Sequence, residues 1–144
     1  MIKPAKMTTR ELFLRVRAEK GALGALKAGL RSTDIADPYI AARWRTMSTK
    51  WTILNRKFVA FVALLNRPTP ARTELGFYLS NEQLRARIEE ANGDIIAVIM
   101  KGTRIVNIAD PVVATAWADL ERGWYNLESE LGGMEAHLLR EGRA

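Results

Sequence analysis

The sequence predicts an all-α fold made of two tandem αα-hairpins, related by an internal duplication at an offset of about 73 residues. Three observations favour this fold class. Residues 29–54 recur as residues 102–127, with ten identities in 26 aligned positions. All four tryptophans fall into matched pairs. Each copy ends in a long apolar series at helical spacing. We expect a pseudo-symmetric four-helix bundle or an elongated helical pair.

The first helix of each copy is predicted from its N-terminal spacing and an apolar stripe. Residues 8–11 and 80–83 have the S/T-x-x-E/Q spacing of a capping box. Leucine, isoleucine and valine then follow at helical spacing and predict one continuous helix in each copy. Gly29 and Gly102 occupy the position of a helix C-terminal glycine. The offset is 72 in this helix, so we place one inserted residue between Val98 and Gly102.

The second helix of each copy begins at a repeated Asp-Pro pair, at residues 37–38 and 110–111. Aspartate caps free helix amides, and proline is tolerated at the first helical position. Eight apolar side chains then follow in alternating steps of four and three residues, which is typical of a coiled-coil seam. We expect the first of these helices to stop before Pro68, and the second to kink or end at the two glycines of residues 132–133.

One segment leaves the fold class open. Two β-branched runs flank a Lys-Gly pair within residues 95–108, which favours a β-hairpin and an α+β fold. The corresponding segment of the first copy, residues 22–35, has little strand propensity. If the two copies share one fold, residues 95–100 are helical. Helix is therefore the main prediction, and the hairpin is the alternative.

Length and composition restrict the class of protein. The 144 residues are predicted to form a single domain, with repeat one at about 8–67 and repeat two at about 80–140. The absence of cysteine excludes disulfides and thiolate metal sites. His137 has no second histidine with which to share a metal ion, so neither a metal nor a cofactor is expected. The chain has no phosphate-loop, dinucleotide or nucleophile-elbow motif, and we expect a protein that is not an enzyme.

The same sequence predicts where the protein is located. The N-terminal residues lack the apolar run of a secretory signal. The longest uncharged apolar run, residues 58–65, is far shorter than the ~20 residues of a membrane span. We expect neither secretion by a signal peptide nor membrane insertion. The predicted location is the cytoplasm, or a virion or nucleoprotein particle.

The two halves of the chain carry net charges of opposite sign. Residues 1–73 contain 15 lysines and arginines against 4 acidic residues, a net charge of +11. Residues 74–144 contain 7 against 12, a net charge of −5. Such an asymmetry suggests either a polyanionic partner for the first half or contact between opposite halves of neighbouring subunits.

A row of basic residues is predicted to bind a nucleic-acid backbone. These residues share one side of the predicted first helix, and the N-terminal arm adds two more. The corresponding residues of the second copy, Glu82, Glu89, Asn92, Ile99 and Thr103, carry no positive charge. Cations spaced one or two turns apart can follow a phosphate backbone, and they bind it independently of base sequence. The predicted binding residues are Lys3, Lys6, Arg10, Arg17, Lys20, Lys27 and Arg31.

Charged residues beside the two apolar seams predict a second surface. Cations flank the first seam and glutamates flank the second, both at seven-residue intervals. A parallel contact, within the chain or between subunits, would form the pairs Arg43–Glu121, Lys50–Glu128 and Lys57–Glu135. The tryptophans of the seams are expected to be core or interface residues. The predicted oligomer or inter-repeat interface comprises Arg43, Trp44, Lys50, Trp51, Lys57, Trp117, Glu121, Trp124, Glu128 and Glu135.

These patterns favour a non-enzymatic, self-associating helical protein that binds the backbone of DNA or RNA without sequence specificity, as a nucleoprotein or coat-type subunit does. The alternative is an assembly or adaptor subunit without nucleic acid, which forms rings or filaments by head-to-tail charge complementarity. A helix-turn-helix regulator is a third hypothesis, and the long loop of residues 29–37 counts against it. No membrane and no small-molecule substrate is expected as a partner.

Overall fold

The predicted all-α class is confirmed, because 73% of the residues that the structure describes are helical and strands are almost absent among them. The computed structural model describes residues 5–70, 78–103 and 107–142. Within those ranges the only β structure is a pair of isolated parallel bridges, Met7 with Ile35 and Leu79 with Ile108. The α-helices are α1 (Thr9–Ala18), α2 (Ala22–Lys27), α3 (Pro38–Leu64), α4 (Asn81–Glu90), α5 (Ile95–Met100) and α6 (Pro111–Glu141), and a short 3-10 helix spans Ser32–Asp34.

The prediction of one continuous first helix per copy is wrong, because each is divided in two. Lys20 and Gly21 adopt positive φ angles of 62° and 129° between α1 and α2. Asn92 and Gly93 do the same, at 56° and 80°, between α4 and α5. The amide of each glycine donates to the carbonyl five residues earlier, at 2.9 Å and 2.8 Å, which terminates the helix. Each sequence repeat therefore contains three α-helices instead of the predicted two.

The starts of the helices follow the predicted caps. Thr8 and Ser80 each form a complete capping box, so both predicted boxes are confirmed. The helices α3 and α6 begin at the proline after the capping aspartate. The end of α3 at Leu64, before Pro68, also agrees with the prediction.

The helix does not end at residues 132–133, which was one of the two predicted outcomes there, because α6 continues through both glycines to Glu141. Leu131, Met134 and Leu138 are all buried on that part of the helix. Burial of an amphipathic face supplies most helical stability in proteins, and here it outweighs the low helix propensity of two glycines.

The hairpin alternative is wrong for the first run of residues 95–108, since residues 95–100 form α5. Residues 104–106 lie outside the described residues. The side chain of Asp94 caps α5 by accepting from the amide of Ala97, and four of the six α5 side chains are buried. Asp94 is also the additional residue of the second copy. The left-handed glycines Gly21 and Gly93 lie 72 residues apart, whereas α2 and α5 begin 73 residues apart. The predicted insertion after Val98 is therefore wrong.

The chain folds into two compact units that do not follow the two sequence repeats. Unit 1 consists of Met1–Thr52 and Asn126–Ala144, and unit 2 consists of Ile53–Tyr125. Unit 1 thus combines α1, α2 and the first part of α3 with the last part of α6. Unit 2 combines α4, α5 and the last part of α3 with the first part of α6.

A buried tryptophan holds the core of each unit in the same way. In unit 1 the indole of Trp44 is fully buried, and its Nε1 donates to the carbonyl of Leu30 at 3.0 Å. In unit 2 the indole of Trp117 is also fully buried, and its Nε1 donates to the carbonyl of Thr103 at 3.2 Å. Both acceptors directly follow a left-handed glycine, with φ of 91° or 93°. The predicted C-terminal glycines are therefore confirmed.

Replacing Gly24 by alanine is expected to destabilise the protein by about 2 kcal/mol, because an added Cβ would clash with the backbone carbonyl oxygen of Glu19. Gly132 provides a matched control, since a Cβ there would meet no atom within 4 Å. Alanine at that helical position is expected to stabilise by about 0.5–1 kcal/mol. Urea denaturation of both variants measures the difference. Equal effects of the two substitutions would contradict the close approach at Gly24.

Candidate nucleic-acid interface

The predicted binding cations all lie in unit 1, but they do not form one helix face. Arg10 and Arg17 lie on α1, Lys20 lies in the left-handed turn, and Lys27 is the last residue of α2. The break after α1 therefore corrects the predicted single row. The six described residues are all exposed: Lys6, Arg10, Arg17, Lys20, Lys27 and Arg31. Lys3 lies outside the described residues.

Most of these cations have no carboxylate partner. Arg31 lies 4.0 Å from Asp34, and 78% of its side-chain surface is exposed. Across the described ranges, Lys6, Arg17, Lys20 and Lys27 form no ion pair. An unpaired exposed cation keeps its full charge available for a phosphate group. The structure thus leaves four cations of unit 1 available to an anionic partner.

Two of these cations lie over aromatic rings. The guanidinium of Arg17 is 5.6 Å from the ring centroid of Phe13, and the ammonium of Lys27 is 5.6 Å from that of Trp51. Trp51 is half-buried. A partly exposed indole beside a cation is the combination that stacks on bases in single-strand binders.

The other three tryptophans are core residues of the chain. Trp44 and Trp117 are fully buried, and Trp124 is 5% exposed. Their burial leaves them no surface for a second subunit. Of the four seam tryptophans, Trp51 alone reaches the surface.

The folded units do not reproduce the charge division of the sequence. The described residues of unit 1 carry eleven lysines and arginines against eight acidic residues, and those of unit 2 carry seven against seven. Unit 1 is less basic than the N-terminal half because Arg56, Lys57 and Arg67 belong to unit 2, and because unit 1 includes four glutamates of α6. A docking of one strongly basic half on one strongly acidic half therefore has little support from the charges of the units.

The seam cations bind acceptors other than those predicted. In unit 1 the ammonium of Lys50 lies 2.6 Å from Glu130 Oε1 and 2.7 Å from Asn126 Oδ1. In unit 2 the ammonium of Lys57 lies 2.9 Å from Asp119 Oδ2. The ring centroids of Tyr39 and His137 lie 5.8 Å apart in unit 1, and those of Phe61 and Trp117 lie 5.4 Å apart in unit 2. Within each unit, higher numbers on α3 therefore meet lower numbers on α6, and the two helices run antiparallel there. The predicted parallel register is wrong within the chain.

Two further residues of the predicted interface have local roles in unit 1. Glu135 accepts the amide of Ala22 at 2.7 Å and caps the short helix α2. The guanidinium of Arg43 lies 5.8 Å from the ring centroid of Tyr39. Glu121 is half-buried and Glu128 is exposed.

Unit 2 contains a buried polar cluster that the sequence did not predict. Asp110 is fully buried and accepts from Arg67 Nε at 2.9 Å, Asn81 Nδ2 at 3.0 Å and the amide of Val112 at 3.0 Å. Burial opposes the ionisation of Asp110. The hydrogen bonds from Asn81 and Val112 and the charge of Arg67 outweigh it, and they hold the pKa of this carboxyl below its usual value. The cluster caps α6 and contains no nucleophile.

In the sequence Asp110 looked equivalent to Asp37, which caps α3 through the amides of Tyr39 and Ile40. A local difference between the copies is the pair Thr9 and Asn81, at the first position of α1 and α4. Asparagine in place of threonine supplies the amide that reaches Asp110.

Other site types find no support in the described part of the chain. No three His, Asp or Glu side chains come together there as a metal site would require. None of the helices in those ranges has both the length and the apolar character of a bilayer span. No protein-family model, curated protein or solved structure matches this chain.

Proposed function

We propose that this protein is a non-enzymatic, self-associating helical protein that binds the backbone of DNA or RNA through unit 1, without sequence specificity. A nucleoprotein or coat-type subunit has these properties. The two sequence repeats are, in this proposal, the product of a duplication, and the first repeat has kept or acquired the binding cations.

One observation carries the proposal: unit 1 exposes cations that no carboxylate of the described residues neutralises. Lys6, Arg17, Lys20 and Lys27 belong to this set. In unit 2, Glu89 on α4 corresponds to Arg17 on α1, and Met100 on α5 corresponds to Lys27 on α2. The same local helices therefore form in unit 2 without these positive charges. A requirement of the fold therefore does not explain them.

The small helix α2 supports binding without base readout. A helix-turn-helix regulator uses its second helix to reach base edges in the major groove. Here α2 has six residues, ALGALK, of which Ala22, Ala25 and Leu26 are buried. Lys27 is its only side chain with hydrogen-bonding groups, and lysine at a helix end suits a phosphate better than a base edge.

Self-association has separate support from apolar side chains exposed in unit 2. Val59 and Val62, three residues apart on α3, are 68% and 40% exposed. Exposed apolar groups that cluster on one element are typical of interaction surfaces. We propose this part of α3 as the surface through which copies of the chain associate.

A salt series with random duplex and single-stranded nucleic acid tests the proposal. Affinity is expected to fall steeply as salt rises, because each phosphate contact releases a counterion. The variant Lys6→Gln with Lys27→Gln is expected to bind more weakly. Its slope of log affinity against log salt should be shallower by about 1.4 for single strands or about 1.8 for duplex.

The control variant is Arg56→Gln with Lys101→Gln, which removes the same charge from exposed residues of unit 2. It is expected to leave the slope unchanged. Equal effects of the two double variants would contradict a site on unit 1. Light scattering in parallel decides the alternative function: no binding at about 50 mM salt, together with salt-sensitive oligomers, would favour the adaptor.

A further inference from the structure

Unit 1 contains an open cavity of about 380 Å³ between α1 and the end of α6. Its walls are largely apolar and come from Phe13, Val16, Leu138 and Leu139. The first three side chains are buried, whereas Leu139 is 48% exposed. The volume lies near the lower end of the ~300–1,000 Å³ range of small-molecule sites. A cavity of this size and lining accepts one short apolar group.

Two cations also line this cavity. Arg17 and Lys20 are exposed, and no carboxylate in the described ranges pairs with either. Glu135 lines the cavity too, but its Oε1 accepts the amide of Ala22 at 2.7 Å. The carboxylate therefore has a partner of its own, and the two cations give the cavity an excess of positive charge.

The geometry of the chain keeps this cavity in place. The end of α6 packs closely on α1, since a Cβ on Gly142 would lie 2.5 Å from Phe13 Cβ. Gly21 has no side chain to fill the space, and a Cβ there would lie 2.9 Å from Glu135 Oε1. The left-handed conformation of Lys20 and Gly21 ends α1 beside the cavity.

Unit 2 has different residues at the corresponding positions. The offset of 72 relates Phe13 to Arg85, whose Nη2 donates to the carbonyl of Leu65 at 2.6 Å. At the same offset, Arg17 of unit 1 corresponds to Glu89 of unit 2. An apolar wall and a cation of unit 1 are thus replaced by a hydrogen-bonded arginine and a carboxylate. The described residues of unit 2 that correspond to Phe13 and Arg17 therefore do not combine an apolar wall with an unpaired cation.

We propose that this cavity binds a small amphiphilic anion, with its alkyl chain against Phe13 and Leu139 and its anionic head at Arg17 and Lys20. The apolar walls favour burial of methylene groups, and the unpaired cations favour a negative head over a neutral or positive one. This inference does not depend on the proposed nucleic-acid function.

Calorimetric titration of the full chain with straight-chain alkyl carboxylates tests the inference. Affinity is expected to rise about fourfold with each added methylene until the cavity is full. Alkyltrimethylammonium ions of matched chain length are expected to bind at least about tenfold more weakly, because their head is repelled by both cations. Carboxylate affinity without dependence on chain length, or equal affinity for both head groups, would overturn the proposal.

Two pairs of variants locate the site. Leu139→Asn is expected to reduce the gain per methylene, whereas Leu14→Asn, which changes a leucine of similar exposure outside the cavity, is expected to have no effect. Arg17→Gln with Lys20→Gln should abolish the preference for the anionic head and keep the dependence on chain length. Lys6→Gln with Lys27→Gln should change neither, which separates this site from the nucleic-acid experiment. If Leu14→Asn and Leu139→Asn behave alike, the cavity is not the site.

Discussion

Replacing Asp110 by alanine is expected to destabilise the protein by about 3 kcal/mol. The substitution removes the N-terminal cap of α6 and one of the two acceptors of Asn81 Nδ2, which still donates to the carbonyl of Arg67 at 3.1 Å. It also removes the carboxylate partner of Arg67, which lies 2.9 Å away. Urea denaturation followed by circular dichroism measures the change.

The matched control is Asp37→Ala at the start of α3. Asp37 caps two amides at 2.9 Å and 3.1 Å, and the described residues offer it no arginine partner. The loss of a cap alone is expected to destabilise by about 1 kcal/mol. If both variants lose the same stability, the buried cluster around Asp110 contributes nothing beyond an ordinary cap.

The effect of Asp110 also has a defined pH dependence. Because the pKa of this carboxyl is lower in the folded protein than in the unfolded chain, its ionisation stabilises the fold fully above about pH 3.9. That contribution is lost as the pH falls through the lower folded value. The stability difference between the wild type and Asp110→Ala is therefore expected to shrink in strong acid. If the stability difference between the two proteins grows as the pH falls, Asp110 is not ionised in the folded protein as we infer.

Replacing either fully buried tryptophan by phenylalanine is expected to destabilise the protein by about 2 kcal/mol. Phenylalanine is smaller, so a cavity remains, and it cannot donate to the carbonyl that the indole nitrogen binds. Trp44→Phe and Trp117→Phe are expected to have similar effects, because both indoles are fully buried and both donate to the residue after a left-handed glycine.

Trp51→Phe serves as the control for both substitutions, since this side chain is half-buried. We expect it to destabilise by less than about 1 kcal/mol. Chemical denaturation of the three variants in one buffer measures the loss of stability in each and ranks them. A loss in Trp51→Phe as large as that in Trp44→Phe would show that full burial of the indole does not determine the effect.

Helix positions were predictable where the signal is local. The capping boxes at Thr8 and Ser80 and the prolines that begin α3 and α6 act within one helical turn, so sequence spacing alone identifies them. The division between α1 and α2 was missed because the apolar stripe continues across it. A glycine after Lys20 or Asn92 permits a left-handed turn, but only the packed structure shows that the chain adopts one.

The candidate site was predictable in part for the same reason. Exposed lysines and arginines are recognisable from the sequence, since long charged side chains are seldom buried without a partner. Their partners were not recognisable. The contacts of Lys50 with Glu130 and of Glu135 with Ala22 depend on which segments of distant sequence meet in one unit. The parallel register predicted from heptad positions therefore failed although the charges were identified correctly.

The membership of the two units constrains the order of events during protein synthesis. Unit 2 is one uninterrupted stretch, Ile53–Tyr125, whereas unit 1 needs Asn126–Ala144 as well as the N-terminal residues. The ribosome makes the chain from its N-terminus at about 5–20 residues per second, so the first helices emerge several seconds before Leu131, Met134 and Leu138 exist to cover them. During that interval α1 and α2 are without part of their core, and their apolar side chains are accessible to a chaperone that binds nascent chains.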